Sequence, residues 1–370
     1  MPALVRQNII AKARRIVVKV GTNALCDANG GLDPAIVSQL AQQIADARKR
    51  GVRVILVASG AVGAGIAELD LEGRPRLMSM VQATAAVGQG RLMQVFHDAF
   101  KPLGAKVAQV LLLRDDFEHR RRYLNIRNTL GALESLGVTP IINENDAVGG
   151  REITIGDNDV VAALLTNMMR ADLLVLLSNV EGVIKDSKVV EVVEQLDENT
   201  RSLAVQKRSS LGTGGMGSKM SAANMVAMAG EPAVIASARM PGALTRILAG
   251  ETVGTLFLPA KRRMSSRARW IAHASKPLGK IMVDEGAAKA LVQDGRSLLP
   301  SGVTAVFGEF GRGDTVSIID INGRQIARGL TNYSSADVDR IKRLKTTQIA
   351  KILGAKRADE VVHRNNLTLA

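Results

Sequence analysis

The first 260 residues alternate short apolar runs with longer stretches of mixed polarity. The runs, rich in Val, Ile and Leu, are residues 16–20, 52–58, 106–113, 138–143, 172–178 and 232–237. Runs that are apolar throughout are typical of strands buried on both faces of a parallel sheet. Asp33 and Pro34 supply an N-cap and a first-turn proline for a helix that ends near residue 50. The pattern predicts an α/β fold with a doubly wound, mainly parallel sheet.

A different pattern follows residue 277. Glycine-rich turns separate predicted strands at 280–283, 304–307, 315–320 and 325–329, with helices at 287–294 and 341–353. This predicts a small, mostly β domain. We therefore expect an α/β domain over 1–260, a basic linker over 261–277, the small domain over 278–358 and a tail over 359–370.

Composition excludes several classes of protein. The single cysteine, Cys26, excludes a disulfide scaffold, and the four histidines show no metal-ligand spacing. The segment 261–370 carries +10 of the net charge of +14, which suggests a separate basic module. Because no uncharged stretch reaches the length of a membrane span and the N-terminus lacks an apolar signal region, we expect a cytoplasmic protein.

Two glycine-containing turns follow predicted strands. Lys19 lies at the end of the first strand, just before Gly21, and could meet a phosphate there. A lysine at a strand end is more often a solvated cap. In the second turn, Ser59 and Gly60 open the run SGAVGAG, where small residues let backbone amides approach an anion. Tight packing between strand and helix needs the same glycines, so both interpretations stay open.

Two clusters combine acids and amides. They are Asn-Glu-Asn-Asp at 143–146 and Gly-Asp-Asn-Asp at 156–159. Capping of the following helix explains one aspartate at most, so two such clusters favour a functional site.

The run GTGGMGSK at 212–219 has the form G-x-G-x-x-G, but the polar segment before it is not a strand. The dinucleotide-binding interpretation therefore fails its structural context. The run also ends Ser-Lys, where a P-loop needs Lys followed by Ser or Thr. We interpret it as a flexible loop that places Lys219 at the start of a helix, where it can hold a nucleotide phosphate.

Taken in order, these segments resemble the amino-acid kinase family, in particular its glutamate-phosphorylating branch, followed by a PUA domain. The N-terminal motifs are VVKVGT (17–22), VASGAVGAG (57–65), FEHRRRYLNIRNTL (117–130), INENDAV (142–148), GDND (156–159), LGTGGM (211–216) and VGTLF (253–257). The PUA-like motifs are VDEGAAKAL (283–291), GRSLLPSGV (295–303) and GEFGRGDTV (308–316). The resemblance covers almost the whole chain.

The resemblance implies transfer of the γ-phosphoryl group of ATP to the side-chain carboxylate of L-glutamate, with Mg²⁺ held mainly by the ATP phosphates. It implies Lys19, Asp157 and Lys219 as catalytic residues, with Asp157 orienting both lysines. Ser59, Asp146 and Asn158 are the implied glutamate site, in which Asp146 receives the α-ammonium and the other two reach carboxylates. The implied ATP site comprises Lys19, Ser178, Asn179, Thr213, Gly214, Gly215, Met216, Gly217, Ser218 and Lys219.

The sequence departs from the family pattern in three places. Ser178-Asn179 stands where Thr-Asp is usual, the loop over 182–210 lacks an Asp-Pro segment, and the glycine loop ends Gly217-Ser218-Lys219. All three departures lie on the nucleotide side. A decayed kinase scaffold with a regulatory or RNA-binding role is the alternative from another class, and the combination of Lys19, Asp157 and Lys219 argues against it.

The resemblance also implies partners. We expect a homo-oligomer (dimer or tetramer), functional coupling to a glutamyl phosphate reductase, and no membrane. The PUA-like domain could bind RNA through phosphates. Its candidate stacking aromatics are Phe307, Phe310 and Tyr333, of which the first two are expected to fill its core.

Overall fold

We analysed a computed structural model of the chain, which describes residues 2–26, 31–149, 157–194, 215–261, 263–355 and 357–369. It divides into two compact units. The first comprises residues 1–117 and 121–263, and the second comprises residues 118–120 and 264–370.

Apolar runs form the strands of the first unit, as predicted. The strands are β1 Arg15–Val20, β2 Arg53–Ala58, β3 Lys106–Leu112, β4 Val138–Glu144, β5 Leu173–Ser178, β6 Ile184–Lys185, β7 Lys188–Val189, β8 Val192–Val193, β9 Ala233–Ser237 and β10 Thr255–Phe257. The helices are α1 Pro2–Ile10, α2 Thr22–Leu25, α3 Pro34–Lys49, α4 Ala61–Glu68, α5 Met78–Phe100, α6 Arg114–Glu118, α7 Arg120–Ser135, α8 Asp157–Met169, α9 Met216–Met228 and α10 Ala243–Leu248. A short 3₁₀ turn, Lys101–Leu103, precedes β3.

Eight strands form one sheet in the order β3-β4-β2-β1-β5-β9-β10-β8, while β6 and β7 form a separate hairpin. Only the β9–β10 pair of the large sheet is antiparallel. The central strand β1 lies between β2 and β5 and runs parallel to both. The predicted doubly wound, mainly parallel sheet is therefore confirmed.

The two faces of β1 contact different helices. Ile16, Val18 and Val20 belong to the core cluster that also contains most of the buried apolar side chains of α3 and several of those of α5. Because side chains alternate along a strand, Lys19 points to the opposite face. There β1 contacts α8, which packs against α9. The alternation of side chains along β1 therefore directs Lys19 toward the face of the sheet on which α8 and α9 lie.

The N-terminal helix α1 is fixed to the nearest strands by a buried arginine. The Arg6 guanidinium is fully buried and donates hydrogen bonds to the carbonyl oxygens of Glu191, Val253 and Gly254 at 2.6, 2.7 and 2.7 Å. A charged donor thus satisfies three carbonyl groups at the β8–β10 edge of the sheet.

We expect Arg6→Met to lower the free energy of unfolding by about 3 kcal/mol or more, because three carbonyl groups lose a charged donor. Urea unfolding measures this change. Lys12→Met, at an exposed position just after α1, is the control and should change it by less than about 0.5 kcal/mol. Equal stability of the two variants would contradict the anchoring role of Arg6.

The second unit is built around a five-stranded sheet in the order β12-β11-β13-β14-β15. Its strands are β11 Gly279–Val283, β12 Val303–Phe307, β13 Thr315–Ile319, β14 Gln325–Thr331 and β15 Val362–Leu369. Its helices are α11 Ser266–Arg269, α12 Glu285–Val292, α13 Ser335–Ile341 and α14 Ile349–Leu353, with a π-helical turn Trp270–Ala274 and 3₁₀ turns Pro300–Gly302 and Thr346–Gln348. The small, mostly β domain is confirmed, although the single helix predicted over 341–353 is divided into shorter elements.

Both ends of this unit differ from the prediction. The expected linker over 261–277 contains α11 and the π-helical turn, in which Trp270 and Ile271 are buried. The expected tail over 359–370 contains β15, which pairs antiparallel with β14. Apolar burial in the first segment and strand pairing in the second place both inside the folded unit.

The aromatic residues of the second unit also differ from expectation. Phe307, expected in the core, is 47% exposed on β12. Tyr333 is 2% exposed, and its hydroxyl donates to the carbonyl of Ala358. Phe310 is buried as predicted. Phe307 is therefore the one of these three rings that is accessible for stacking. No helix within the described ranges combines the length and apolar character needed to cross a membrane.

Candidate active site

Polar side chains gather at the carboxyl ends of the central strands. Asn143 lies near the end of β4, Ser59 follows β2, Lys19 lies near the end of β1, and Ser178 ends β5. Because these strands are adjacent and parallel, their ends meet at one edge of the sheet. Ligands bind at this edge in open α/β sheets.

One buried carboxylate holds two lysines. Asp159 Oδ1 lies 2.6 Å from Lys19 Nζ, and Asp159 Oδ2 lies 3.4 Å from Lys219 Nζ. The Ser218 hydroxyl donates to Oδ2 at 2.8 Å. Asp159 is fully buried, and the two lysines are 4% and 5% exposed. Two ammonium groups are thereby fixed around one negative charge, with an excess of one positive charge for an anionic ligand.

Burial and charge oppose each other in this cluster. Burial alone raises the pKa of Asp159, but Lys19 and Lys219 outweigh it and leave the pKa below its ordinary value. Asp159 is therefore ionised at neutral pH. Burial lowers the pKa of Lys219, the negative charge of Asp159 opposes this, and Lys19 adds to the lowering.

Asp157 was predicted to be the carboxylate that orients both lysines. Asp159 is the carboxylate in contact with both of them. The side chain of Asp157 lies outside the described residues, and its catalytic role stays a prediction.

A chain of amides lies beside the lysine cluster. The Asn158 Nδ2 group donates to Ser59 Oγ at 3.0 Å and to Asn143 Oδ1 at 2.9 Å. Asn143 Nδ2 in turn donates to Gln89 Oε1 of α5 at 2.9 Å. The structure thus brings together two of the predicted glutamate ligands, Ser59 and Asn158. It adds Asn143 and Gln89, and no local pattern marks Gln89.

The glycines after β2 have different roles. Gly60 adopts a φ of +119° at the N-cap of α4, a conformation that favours glycine. A Cβ atom at Gly65 would lie 1.9 Å from the carbonyl oxygen of Thr84, so this glycine permits the close packing of α4 on α5. In the first glycine turn, the Gly21 amide donates to the Leu177 carbonyl at 3.3 Å within the sheet. The Gly21 amide is therefore engaged in the sheet.

The predicted nucleotide residues lie on the β5–β9 side. The Ser178 hydroxyl donates to Asn179 Oδ1 at 3.2 Å, and the Ser178 carbonyl accepts from the Ala238 amide just after β9. Gly215 is the N-cap of α9, and Met216, Gly217, Ser218 and Lys219 form its first turn. The prediction that the glycine loop places Lys219 at the start of a helix is confirmed, while Thr213 and Gly214 lie outside the described residues.

Asp146 lies in the turn after β4 and is half-buried. Arg121, Arg122 and Arg127 on α7 are exposed, which agrees with a solvated helix face. In the part of the chain that the structure describes, no three His, Cys, Asp or Glu side chains are grouped as metal ligands.

Two family models match segments of this chain. Residues 14–237 match the family model described as "Amino acid kinase family", and residues 279–353 match the PUA domain. A carbamate kinase from Giardia lamblia superposes with a TM-score of 0.49 and 19% identity, covering 68% of this chain and 100% of that one.

Curated relatives match over almost the full length. A glutamate 5-kinase of Caldanaerobacter subterraneus is 48% identical, over 96% of this chain and 97% of the relative. A glutamate 5-kinase of Geobacter sulfurreducens is 45% identical, over 98% and 100% respectively. The family match covers more than half of the chain and contains the lysine cluster, so the chain belongs to the amino acid kinase family.

Proposed function

We propose that this chain transfers the γ-phosphoryl group of ATP to the side-chain carboxylate of L-glutamate and forms γ-glutamyl phosphate, the first step of proline synthesis. The observation that carries the proposal is the pair of buried lysines on Asp159 at the edge of the sheet. The names of full-length relatives support glutamate as the acceptor.

A carboxylate acceptor suits a site whose described charged cluster consists of two lysines and one aspartate. The side chain of free glutamate has a pKa of about 4.3, so it is already a nucleophile at neutral pH and needs no general base. The difficulty is the approach of an anion to a polyanion, which fixed positive charges relieve.

The two lysines approach from different elements. Lys19 comes from β1, which pairs with β2, the strand that Ser59 follows. We assign Lys19 to contact with the transferred phosphoryl group and the acceptor. Lys219 comes from the first turn of α9, and we assign it to the leaving phosphates. Asp159 holds both ammonium groups in place before substrates bind, so less reorganisation is needed during transfer.

Mg²⁺ is proposed to bind through the ATP phosphates. The buried carboxylate of the site has both oxygens in contact with ammonium groups, so it is not free to act as a metal ligand. Coordination by substrate phosphates and water is a common mode for Mg²⁺. When bound, the ion neutralises phosphate charge.

The activity is tested by measuring ADP release with L-glutamate, L-aspartate and N-acetyl-L-glutamate as separate acceptors. We expect turnover with L-glutamate and at least about 100-fold lower kcat/KM with the other two, since each leaves a polar or charged group of the site mismatched. Turnover with N-acetyl-L-glutamate but not with L-glutamate would contradict the proposal and indicate another activity of the same family.

The lowered pKa of Lys219 predicts a pH dependence. Phosphate binding needs the charged ammonium, so kcat/KM for ATP should fall on the alkaline side with a midpoint below 10.5, the ordinary lysine value. In Lys219→Arg this limb should move to higher pH, because a guanidinium stays charged. If kcat/KM for ATP fell at the same pH in both proteins, the fall would be due to a group other than Lys219.

The remaining partners stay proposals. We propose a homo-oligomer and coupling to a glutamyl phosphate reductase, as the family resemblance implies, and a cytoplasmic location. The PUA domain match supports RNA as a ligand of the second unit. Phosphate-mediated RNA binding would weaken steeply as salt concentration rises, which a filter-binding titration measures.

A further inference from the structure

We propose that Gln89 is a positioning residue that makes the acceptor site present an oxygen, rather than an N–H group, to the α-ammonium of L-glutamate. This inference rests on the proposed function, since it concerns how the same site recognises its acceptor. It follows from the donor and acceptor directions of four hydrogen bonds. These bonds link the backbone amide of Glu144, through Asn143, to Gln89 and Asn158, and link Asn158 to Ser59.

The first bond fixes Asn143. Its Oδ1 atom accepts from the backbone N–H of Glu144 at 2.9 Å. A backbone N–H can only donate, so the oxygen of this amide must face it and the Nδ2 group must face the other way. Gln89 Oε1 accepts a hydrogen bond from that Nδ2 group at 2.9 Å. Asn143 is 2% exposed, so water does not replace these partners.

Asn143 then fixes Asn158. Asn143 Oδ1 also accepts a hydrogen bond from Asn158 Nδ2 at 2.9 Å. Ser59 Oγ accepts a hydrogen bond from the second hydrogen of the same Nδ2 group at 3.0 Å. An amide nitrogen has two hydrogens, so the donor capacity of Asn158 is used up. What remains is Asn158 Oδ1, which is buried and has no hydrogen-bond partner among the described residues.

A buried acceptor without a partner is costly, and a ligand that donates to it gains that energy. The α-ammonium is the hydrogen-bond donor of glutamate at neutral pH, whereas both carboxylates are acceptors. Asn158 was predicted to reach a carboxylate, and the bond directions give it the opposite role. The Ser59 hydroxyl accepts from Asn158 and keeps its own hydrogen for a carboxylate.

Gln89 acts through Asn143. It lies on α5, 54 positions before Asn143, and is 9% exposed. Without the Gln89 oxygen, the Asn143 Nδ2 group loses its acceptor, and the amide is held only through Oδ1, which accepts from the Glu144 N–H and from Asn158 Nδ2. The orientation of Asn158 Oδ1 is then less well fixed, which weakens ammonium recognition and leaves carboxylate recognition unchanged.

The test compares L-glutamate with glutarate, which has the same two carboxylates and no amino group. In Gln89→Met we expect the KM for L-glutamate to rise about three- to tenfold, the scale of one net hydrogen bond. The Ki of glutarate as a competitive inhibitor, the KM for ATP and kcat should each change by less than about twofold, because these interactions do not use the ammonium.

Two further variants complete the test. Gln89→Glu keeps an oxygen toward Asn143 and should retain the wild-type ratio of glutamate KM to glutarate Ki. Gln94→Met, at an exposed position of the same helix, is the control and should match the wild type. KM and Ki do not depend on the amount of active enzyme, so both can be measured even if Gln89→Met folds only in part. If Gln89→Met does not fold at all, Gln89→Ala replaces it.

Equal changes in glutamate KM and glutarate Ki, or no change in glutamate KM, would overturn the positioning role of Gln89 while glutamate turnover of the wild type still stands. A wild-type enzyme without glutamate turnover would contradict the proposed function itself, and the present inference with it.

Discussion

Replacing either buried lysine by methionine should lower kcat by a factor on the order of 100 to 1,000, the scale for loss of one preorganised charge that stabilises a transition state. Lys19 and Lys219 contact the two oxygens of the same carboxylate, so neither can move into the place of the other without losing that contact. Methionine keeps an unbranched, apolar side chain and removes only the charge and its hydrogen bonds.

Steady-state turnover at saturating ATP and L-glutamate measures this effect. Lys49→Met removes an exposed lysine of α3, whose side chain is 70% exposed, and should leave kcat within about twofold of the wild type. A loss of less than about fivefold in both active-site variants would contradict the assignment of these lysines to the transferring phosphoryl group.

The second large effect concerns stability. Asp159→Asn should lower the free energy of unfolding by about 3–5 kcal/mol, because it leaves two buried ammonium groups without a counter-charge. Asparagine has nearly the shape of aspartate, so the loss reports charge rather than packing. Urea unfolding at neutral pH measures it, with Asp46→Asn as control, since the Asp46 side chain on α3 is 44% exposed.

A double-variant cycle separates the ion cluster from other roles of Asp159. In a Lys219→Met background, Asp159→Asn leaves one uncompensated ammonium group instead of two and should destabilise the protein less than in the wild type. The same destabilisation in both backgrounds would show that Asp159 does not act through Lys219.

The sequence predicted the sheet because the apolar runs of buried parallel strands leave a strong local signal. The predicted and observed ends of β1, β2, β4 and β5 differ by at most one residue. The edge strand β8 and its neighbour β10 contain two and three residues, too few to produce such a run. Their position follows from tertiary pairing rather than from local pattern.

The basic segment 261–277 shows why charge misleads about domain limits. Its lysines and arginines suggested a solvated linker, yet Arg269 is 1% exposed and Trp270 is buried beside it. A long cationic side chain can lie within a folded unit when its donors find carbonyl partners, as Arg269 Nε does with the Met264 carbonyl. The strand β15 was missed because its polar residues mask its alternation.

Within the site, residue types were predicted better than the contacts between them. The clusters at 143–146 and 156–159 contain Asn143, Asn158 and Asp159, but sequence alone does not show which helix face meets the lysines. The contact of Asp159 with both lysines is visible only in the folded structure. Gln89 gives no signal in the sequence, because its role depends on a contact with a strand 54 residues away.

Trapping the product with hydroxylamine tests directly whether the phosphoryl group is transferred to the side-chain carboxylate of glutamate. An acyl phosphate on the side-chain carboxylate reacts to give γ-glutamyl hydroxamate, which mass spectrometry identifies. We expect γ-glutamyl hydroxamate in proportion to the ADP released by the wild type, and at least about 100-fold less of it in Lys19→Met. Release of ADP without hydroxamate, or hydroxamate on the α-carboxylate, would contradict phosphoryl transfer to the glutamate side chain.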